Sequence, residues 1–371
     1  MYKKLKKLIY GFTKKILPEE LFKKFVNWCH RQKFISGQDR YLYEYYISKK
    51  RNANEKYCIF RCYTPPTGVL STANVYIFMY EWAIDKGYIP IMDMEFEYDF
   101  MNFKLGEDNV WEDVFEQPLS VKDVLKKDWV LVKRQWVGDA WLPKTCLDIN
   151  GVKSDIRIHT VRDNWREYYS KVNTYTKKCW NFRKDLIEEF ENEYSYVFKE
   201  ENVLGVALRE PFSVDADKIR KNPNAIDVYN KHPKVMGLNE IVEVIKEYII
   251  EHNCSTIFVS TMYEESINLF KDVFGDKVVY VNRERQSLDK LDSPVWGMTA
   301  EQIYNYYKEI ELADSRKDRN VTYVKEVLAL SRCDYLIGAP CGASIAALSI
   351  NGGKYKDVYI LPDINKDSKW Y

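Results

Sequence analysis

The chain has 371 residues, of which 46% are hydrophobic and 30% charged, with a formal net charge of +1. That length suits two domains or one large one, each able to bury a sizeable core. The near-neutral charge removes any global electrostatic case for nucleic acid, and no window approaches the ~20 apolar residues of a membrane span.

The first segment is distinctive. Tyr2, Leu5, Ile9, Phe12 and Ile16 recur at three- and four-residue steps, with lysines between them. This predicts a basic amphipathic helix within a helical extension over residues 1–50. Such a helix suits an anionic membrane surface, reached through residues 1–35; packing on the body of the protein with its lysines in water fits equally. The apolar run Leu8-Ile9-Tyr10 is too short for a signal-peptide core.

A polar run, Ser48 to Asn54, then reads as a linker into an N-terminal α/β domain over 51–200. A strand is expected at Tyr57–Tyr63, then a proline turn ending at Gly68, a helix over 70–86 and a strand at Tyr88–Met92. Another strand fits Trp129–Val132, and residues 160–200 read as helices. A C-terminal domain over 201–371 repeats the alternation. Its strands are expected at 203–208, 256–260, 277–281, 334–338 and 357–361, and its helices near 238–252, 263–271, 299–312, 320–331 and 343–350. Strands alternating with helices imply parallel sheets covered on both faces. The expected fold is therefore α/β, with two Rossmann-like doubly wound domains and a cleft between them.

Eight cysteines are scattered (29, 58, 62, 146, 179, 254, 333 and 341), and only Cys58 and Cys62 lie close together. No second pair or neighbouring histidine completes a zinc site, so reduced thiols and a cytoplasmic setting are expected. Tyrosine is abundant at 29 residues; it suits sugar surfaces, and it suits cores and interfaces as well.

Two stretches carry chemistry. Val203-Leu-Gly-Val-Ala-Leu-Arg209 is an apolar strand that delivers an arginine to the carboxyl edge of a sheet, where open α/β sheets bind ligands. A guanidinium fork there suits a phosphate; a pair with Glu210 is the other use for it. Asp334 to Ser344 reads as a strand, a small-residue turn and a helix that begins near Ala343. Its first amides and dipole favour a phosphate, close to Cys341, Gly342, Ala343 and Ser344. It matches neither a dinucleotide fingerprint nor a Walker loop. Together with Arg209 it suggests a diphosphate cradle. Asp93-Met-Glu95 imitates a D-x-D metal motif, although an arginine and a helix start neutralise a diphosphate without metal. His232 sits before Pro233 at a rim position.

At these residues the chain resembles bacterial GT-B glycosyltransferases related to α-1,6-fucosyltransferases and protein O-fucosyltransferases. The likeness spans most of 57–362. It rests on Gly68-Val-Leu-Ser71, Ala83 to Asp93, Trp111 to Pro118, Leu204 to Arg209, Lys231-His-Pro233, Ile257 to Thr261, Leu330 to Gly338 and Ala346 to Lys354.

The resemblance implies an inverting, metal-independent transfer from a nucleoside-diphosphate sugar, GDP-sugar above all, with no cofactor besides this co-substrate. Fucose or another hexose or deoxyhexose would pass to a hydroxyl of a glycan or lipid-linked glycan, as in bacterial surface polysaccharide synthesis at the inner membrane face. It assigns Arg209 to the diphosphate, Glu326 to the nucleotide, and Thr261, Cys341, Gly342, Ala343 and Ser344 to the donor. Glu210 is the nearest base candidate by sequence, and Gly68 and Ser71 line the acceptor side.

The chain departs from the family pattern at Ala207, Phe212 and Met262, where histidine, aspartate and aspartate are usual. That points to another donor preference or a weakened enzyme. A non-catalytic nucleotide-sugar or carbohydrate-binding relative, and a metal-dependent GT-A enzyme using Asp93 and Glu95, are the alternatives.

Overall fold

The computed structural model describes residues 45–46, 53–63, 69–95, 109–136, 165–209, 234–285 and 316–364, with the single positions 18 and 21. By internal packing the chain divides into two units. One comprises Met1–Pro65, Phe78–Trp111 and Gln117–Leu147; the other comprises Pro66–Ile77, Glu112–Glu116 and Asp148–Tyr371.

In chain order come strands β1 (Tyr45–Tyr46) and β2 (Tyr57–Tyr63), helix α1 (Val69–Asp85), strand β3 (Ile89–Glu95), short helices α2 (Trp111–Val114) and α3 (Val121–Val124), and strand β4 (Val130–Trp136); the strands and α3 belong to the first unit, while α1 and α2 are shared between the two. The sheet order is β1-β4-β2-β3. The three long strands are parallel, and β1 closes the β4 edge antiparallel, Tyr45 opposite Val132.

Alternation along the strands decides which side chains share a face. Tyr57, Ile59, Ile91, Val130 and Val132 form one apolar face under Val121 and Val124 of α3. Ser120 caps α3, its hydroxyl accepting from the Asp123 N–H at 3.2 Å. The β1 strand corrects the helical reading of residues 1–50 at this point. Two residues of edge pairing leave no periodicity in a sequence.

The second unit follows with helices α4 (Trp165–Cys179) and α5 (Lys184–Tyr194), strand β5 (Val203–Ala207), helix α6 (Leu238–His252), strand β6 (Thr256–Ser260), helix α7 (Glu264–Phe274), strand β7 (Val278–Val279), helix α8 (Arg316–Arg332), strand β8 (Tyr335–Gly338), helix α9 (Gly342–Asn351) and strand β9 (Asp357–Ile360). All five strands are parallel, in the order β7-β6-β5-β8-β9. Leu204, Val206, Ile257, Val259 and Ile337 face Ile241 and Ile245 of α6 and Ile267 and Phe270 of α7.

Helix α8 covers the opposite face. It approaches closely because Gly205 has no side chain: a Cβ there would meet Cys333 Sγ and Leu330 Cδ2 at 3.1 Å. Helix α6 spans the residues expected of it, and both ends are capped. Glu240 accepts from the Gly237 N–H at 2.8 Å, and Asn253 is left-handed with φ 51°.

Both sheets bear out the α/β expectation. Helices α4 and α5 pack on the second unit through Asn173, whose amide donates to Ser349 O at 2.9 Å and Ile350 O at 2.7 Å. Lys325 adds ion pairs to Glu193 at 2.9 Å and Glu189 at 3.2 Å. Trp180 Nε1 also donates to Ala73 O at 3.1 Å, which ties the start of α1 to this unit. The helix expected at 299–312 lies outside the described residues.

Candidate functional site

The strand order of the second sheet determines where a ligand fits. From β5 the chain goes to β6 and β7 on one side, then crosses to β8 and β9 on the other. The order therefore reverses between β5 and β8. Outside the carboxyl ends of two such strands the connections diverge and leave a crevice. Arg209 lies two residues past β5, and the turn into α9 follows β8, so both sequence-predicted elements reach this crevice. The backbone bonds confirm the juxtaposition. Ala339 N donates to Ala207 O at 2.8 Å, and Leu208 N donates to Ser260 O at 2.9 Å.

The turn after β8 is tightly tied. Buried Ser344 donates its hydroxyl to Ala339 O at 2.6 Å, with Cys341 Sγ 3.6 Å away. Gly338 makes room for this serine: a Cβ would come within 2.6 Å of its Oγ. The small residues of the turn thus serve internal packing, and Ser344 closes the loop with its own hydroxyl. Cys341 precedes α9 in an extended conformation and no side chain caps the helix. Gly342 and Ala343 hold the first turn, where the unshared amides of a helix start collect.

Glu326 is completely buried on α8, and its carboxylate is occupied on both oxygens. Arg283 forks onto it, Nε at 2.8 Å from Oε1 and Nη2 at 3.1 Å from Oε2. Ser260 Oγ donates to Oε2 at 2.9 Å, and Arg285 Nη2 approaches Oε1 at 3.3 Å. Arg283 Nη2 also donates to the Thr261 carbonyl at 2.9 Å, while Thr261 Oγ1 accepts from Tyr263 N at 3.2 Å. Two guanidiniums thus surround one carboxylate, and Arg209 adds a third cation nearby.

Tyr323 joins these groups. Burial pushes its phenol well up, Cys341 and Glu326 raise it further, and Arg283 and Arg209 oppose them. The phenol therefore lies within electrostatic reach of both the Glu326 cluster and the β5–β8 crevice. Arg283, Arg285, Ser260 and Tyr323 were not singled out by sequence reasoning. Tyr323 precedes Glu326 by three positions, one turn of the same helix face, and that spacing was available as a signal. The two arginines lie just past the strand expected at 277–281, with no motif to mark them.

Other predicted residues fall elsewhere. Ser71 lies on α1, its side chain outside those described, and Glu210, Gly68, His232 and Phe212 lie outside the described residues. Ala207 is buried in β5, and Met262 stands 48% exposed just past β6. Asp93 forms a buried ion pair with Arg61 at 3.1 Å, opposite it in the β2–β3 register. An arginine inside an otherwise apolar strand needs such a partner. Glu95 ends β3, its side chain outside those described. Among the described residues, no group of three or more His, Cys, Asp or Glu is arranged to hold a metal ion.

No family model matches the sequence, and no curated protein matches it. Solved structures do. The fucosyltransferase NodZ from Bradyrhizobium, an α-1,6-fucosyltransferase, is similar at 10% identity. In its GDP-fucose-soaked form the match covers 80% of this chain and 93% of NodZ, with a TM-score of 0.44. An Arabidopsis thaliana FUT1 variant in complex with GDP is 11% identical over 98% of this chain and 79% of its own, with a TM-score of 0.41. Apo POFUT1 is 9% identical over 84% and 99%, with a TM-score of 0.39.

Proposed function

We propose that the protein is a glycosyltransferase that takes its donor as a nucleoside-diphosphate sugar, held at the carboxyl ends of β5 and β8. The observation that carries this reading is that Arg209 and the uncapped start of α9 both follow the strands between which the order of the second sheet reverses. A diphosphate brings its negative charge to that point. As the glycosidic bond breaks, further charge develops on the leaving diphosphate, and fixed donors there lower the barrier. Arg209 and the amides of Gly342 and Ala343 supply those donors without a divalent ion.

An acceptor hydroxyl attacks the anomeric carbon from the face opposite the leaving group, which inverts its configuration. Glu210 is the sequence-nearest group for taking the acceptor's proton. The motif resemblance supports a GDP-sugar carrying fucose or another hexose or deoxyhexose. The acceptor is a glycan or lipid-linked glycan of a bacterial surface polysaccharide, met near Gly68, Ser71 and His232. The basic segment over 1–35 favours work at the inner membrane face.

The test is isothermal titration of GDP, UDP and dTDP, alongside release of nucleoside diphosphate from the corresponding sugars. Replacing Arg209 by alanine removes charge-assisted bonds and is expected to weaken diphosphate binding by about a hundredfold. Unchanged binding and turnover in this variant would sink the proposal. Turnover that survives excess chelator supports the metal-free reading, and its loss would reverse it.

A non-catalytic binding role is favoured by one observation, the exposed thioether of Met262 where the family carries a carboxylate. Tight nucleotide-sugar binding without product release would establish that role.

A further inference from the structure

We infer that Glu326 is a positioning residue for the Arg209 anion site and that it does not read the nucleotide itself. This rests on the diphosphate-binding function proposed above. A carboxylate that recognises a base must offer its oxygens to the base's N–H donors. Both oxygens of Glu326 already accept from the protein: Oε1 from Arg283 and Arg285, Oε2 from Ser260 and Arg283. The side chain is also sealed from solvent, with only 1% exposed.

What this carboxylate holds leads directly to Arg209. Ser260 donates its hydroxyl to Glu326, and the carbonyl of the same residue accepts the N–H of Leu208. Leu208 is the residue immediately before Arg209. Arg283, clamped by Glu326, donates to the next carbonyl, that of Thr261. The end of β6 is therefore pinned at two successive residues, and the end of β5 is pinned to β6. A guanidinium that must meet a diphosphate in one geometry depends on that backbone. Glu326 also keeps two buried guanidiniums compensated beside the site.

A base-reading residue and a positioning residue differ in one measurable respect. Losing a base-reading carboxylate alters the preference among bases. Losing a positioning carboxylate weakens every diphosphate by the same factor and leaves the preference unchanged.

The experiment measures dissociation constants of GDP, UDP, dTDP and inorganic pyrophosphate for the full-length protein and three variants. These are Glu326→Gln, Arg209→Ala and the double variant, each measured on protein shown by circular dichroism to be folded. Glu326→Gln keeps the shape and loses the charge. It is expected to weaken all four ligands about tenfold, with the GDP to UDP ratio unchanged. In the double variant the Glu326 effect should vanish, because it acts through Arg209; such non-additivity separates positioning from general destabilisation.

Arg283→Lys, which keeps the charge and loses the fork, should give the same uniform loss and serves in place of Glu326→Gln if that variant does not fold. A shift in the GDP to UDP ratio, an effect that simply adds to that of Arg209→Ala, or no effect on any ligand would overturn the inference. Wild-type protein that binds none of the four ligands would overturn the donor-binding proposal and this inference with it. Wild-type binding that Arg209→Ala leaves intact would overturn both as well.

Discussion

The two sheets place an arginine in comparable positions and use it differently. In each, a central parallel strand has later strands on both sides, so the order reverses beside it: β4 and β3 flank β2, while β8 and β6 flank β5. In the first sheet Arg61 lies inside the strand, is almost fully buried, and pairs with Asp93 across the register. In the second, Arg209 lies beyond the end of the strand and is partly exposed. An arginine within the ladder is neutralised by a neighbouring strand and serves the core. An arginine two residues further on reaches the crevice at the edge. The second unit also surrounds its buried carboxylate with two guanidiniums, where the first sheet sets one carboxylate against one.

Breaking the balanced pair should have the largest effect. Asp93→Ala leaves Arg61 buried without its counter-ion and is expected to destabilise the protein by about 3–5 kcal/mol in urea unfolding. Nucleoside diphosphate affinity of the folded protein should not change. Replacing Arg61 by Met and Asp93 by Leu together should recover most of that stability. A double variant as unstable as the single one would mean that the pair does more than balance charge.

Next in size is the turn that shapes the second edge. Gly338→Ala sets a methyl against Ser344 Oγ, and the resulting shift should cost about 1–3 kcal/mol. Diphosphate binding should weaken in parallel, because α9 starts from this turn. Wild-type affinity in this variant would argue against a ligand at the α9 amides.

A smaller change of opposite sign is expected at Asn74. This residue of α1 is 3% exposed, and neither amide atom has a hydrogen-bond partner among the described residues. Asn74→Leu should raise stability by about 1–2 kcal/mol, since the buried amide's desolvation is uncompensated. A loss of stability would refute this.

The smallest effect concerns pH. Burial acts against the charge of Lys325, yet its hydrogen bonds to Glu193 and Glu189 outweigh that and raise its pKa above the ordinary 10.5. The folded value exceeds the unfolded one, so the contribution, about 1 kcal/mol, is complete below the unfolded pKa. It is lost as pH rises through the folded value. Lys325→Met should flatten the alkaline limb of a stability-against-pH curve and leave the acid limb unaltered.

Much of the second unit was legible from residues alone. The helix expected near 238–252 is found at Leu238–His252. The strand, turn and helix over 334–351 are also as read, because small residues separate two apolar runs. What was not legible involves partners far apart in the chain. Ser260 ends β6, Arg283 lies in the loop after β7 and Glu326 is on α8, and no local spacing links them. Asp93 looked like half of a metal motif because Glu95 follows two residues later, whereas its partner is Arg61 on the neighbouring strand. The arginine in Tyr57-Cys-Ile-Phe-Arg61 was the available clue, since a buried strand rarely carries an unpaired charge. The amide bonds from Asn173 on α4 to Ser349 and Ile350 were likewise invisible, since the partners lie far apart in the sequence.

The crossover that sets β8 beside β5 also has a consequence for biosynthesis. Arg209 emerges from the ribosome long before Cys341, Gly342 and Ala343, and the contacts that join them span most of the second unit. Pairings so distant in sequence form late. A nascent chain therefore cannot assemble the proposed donor site until β8 and the start of α9 have been made.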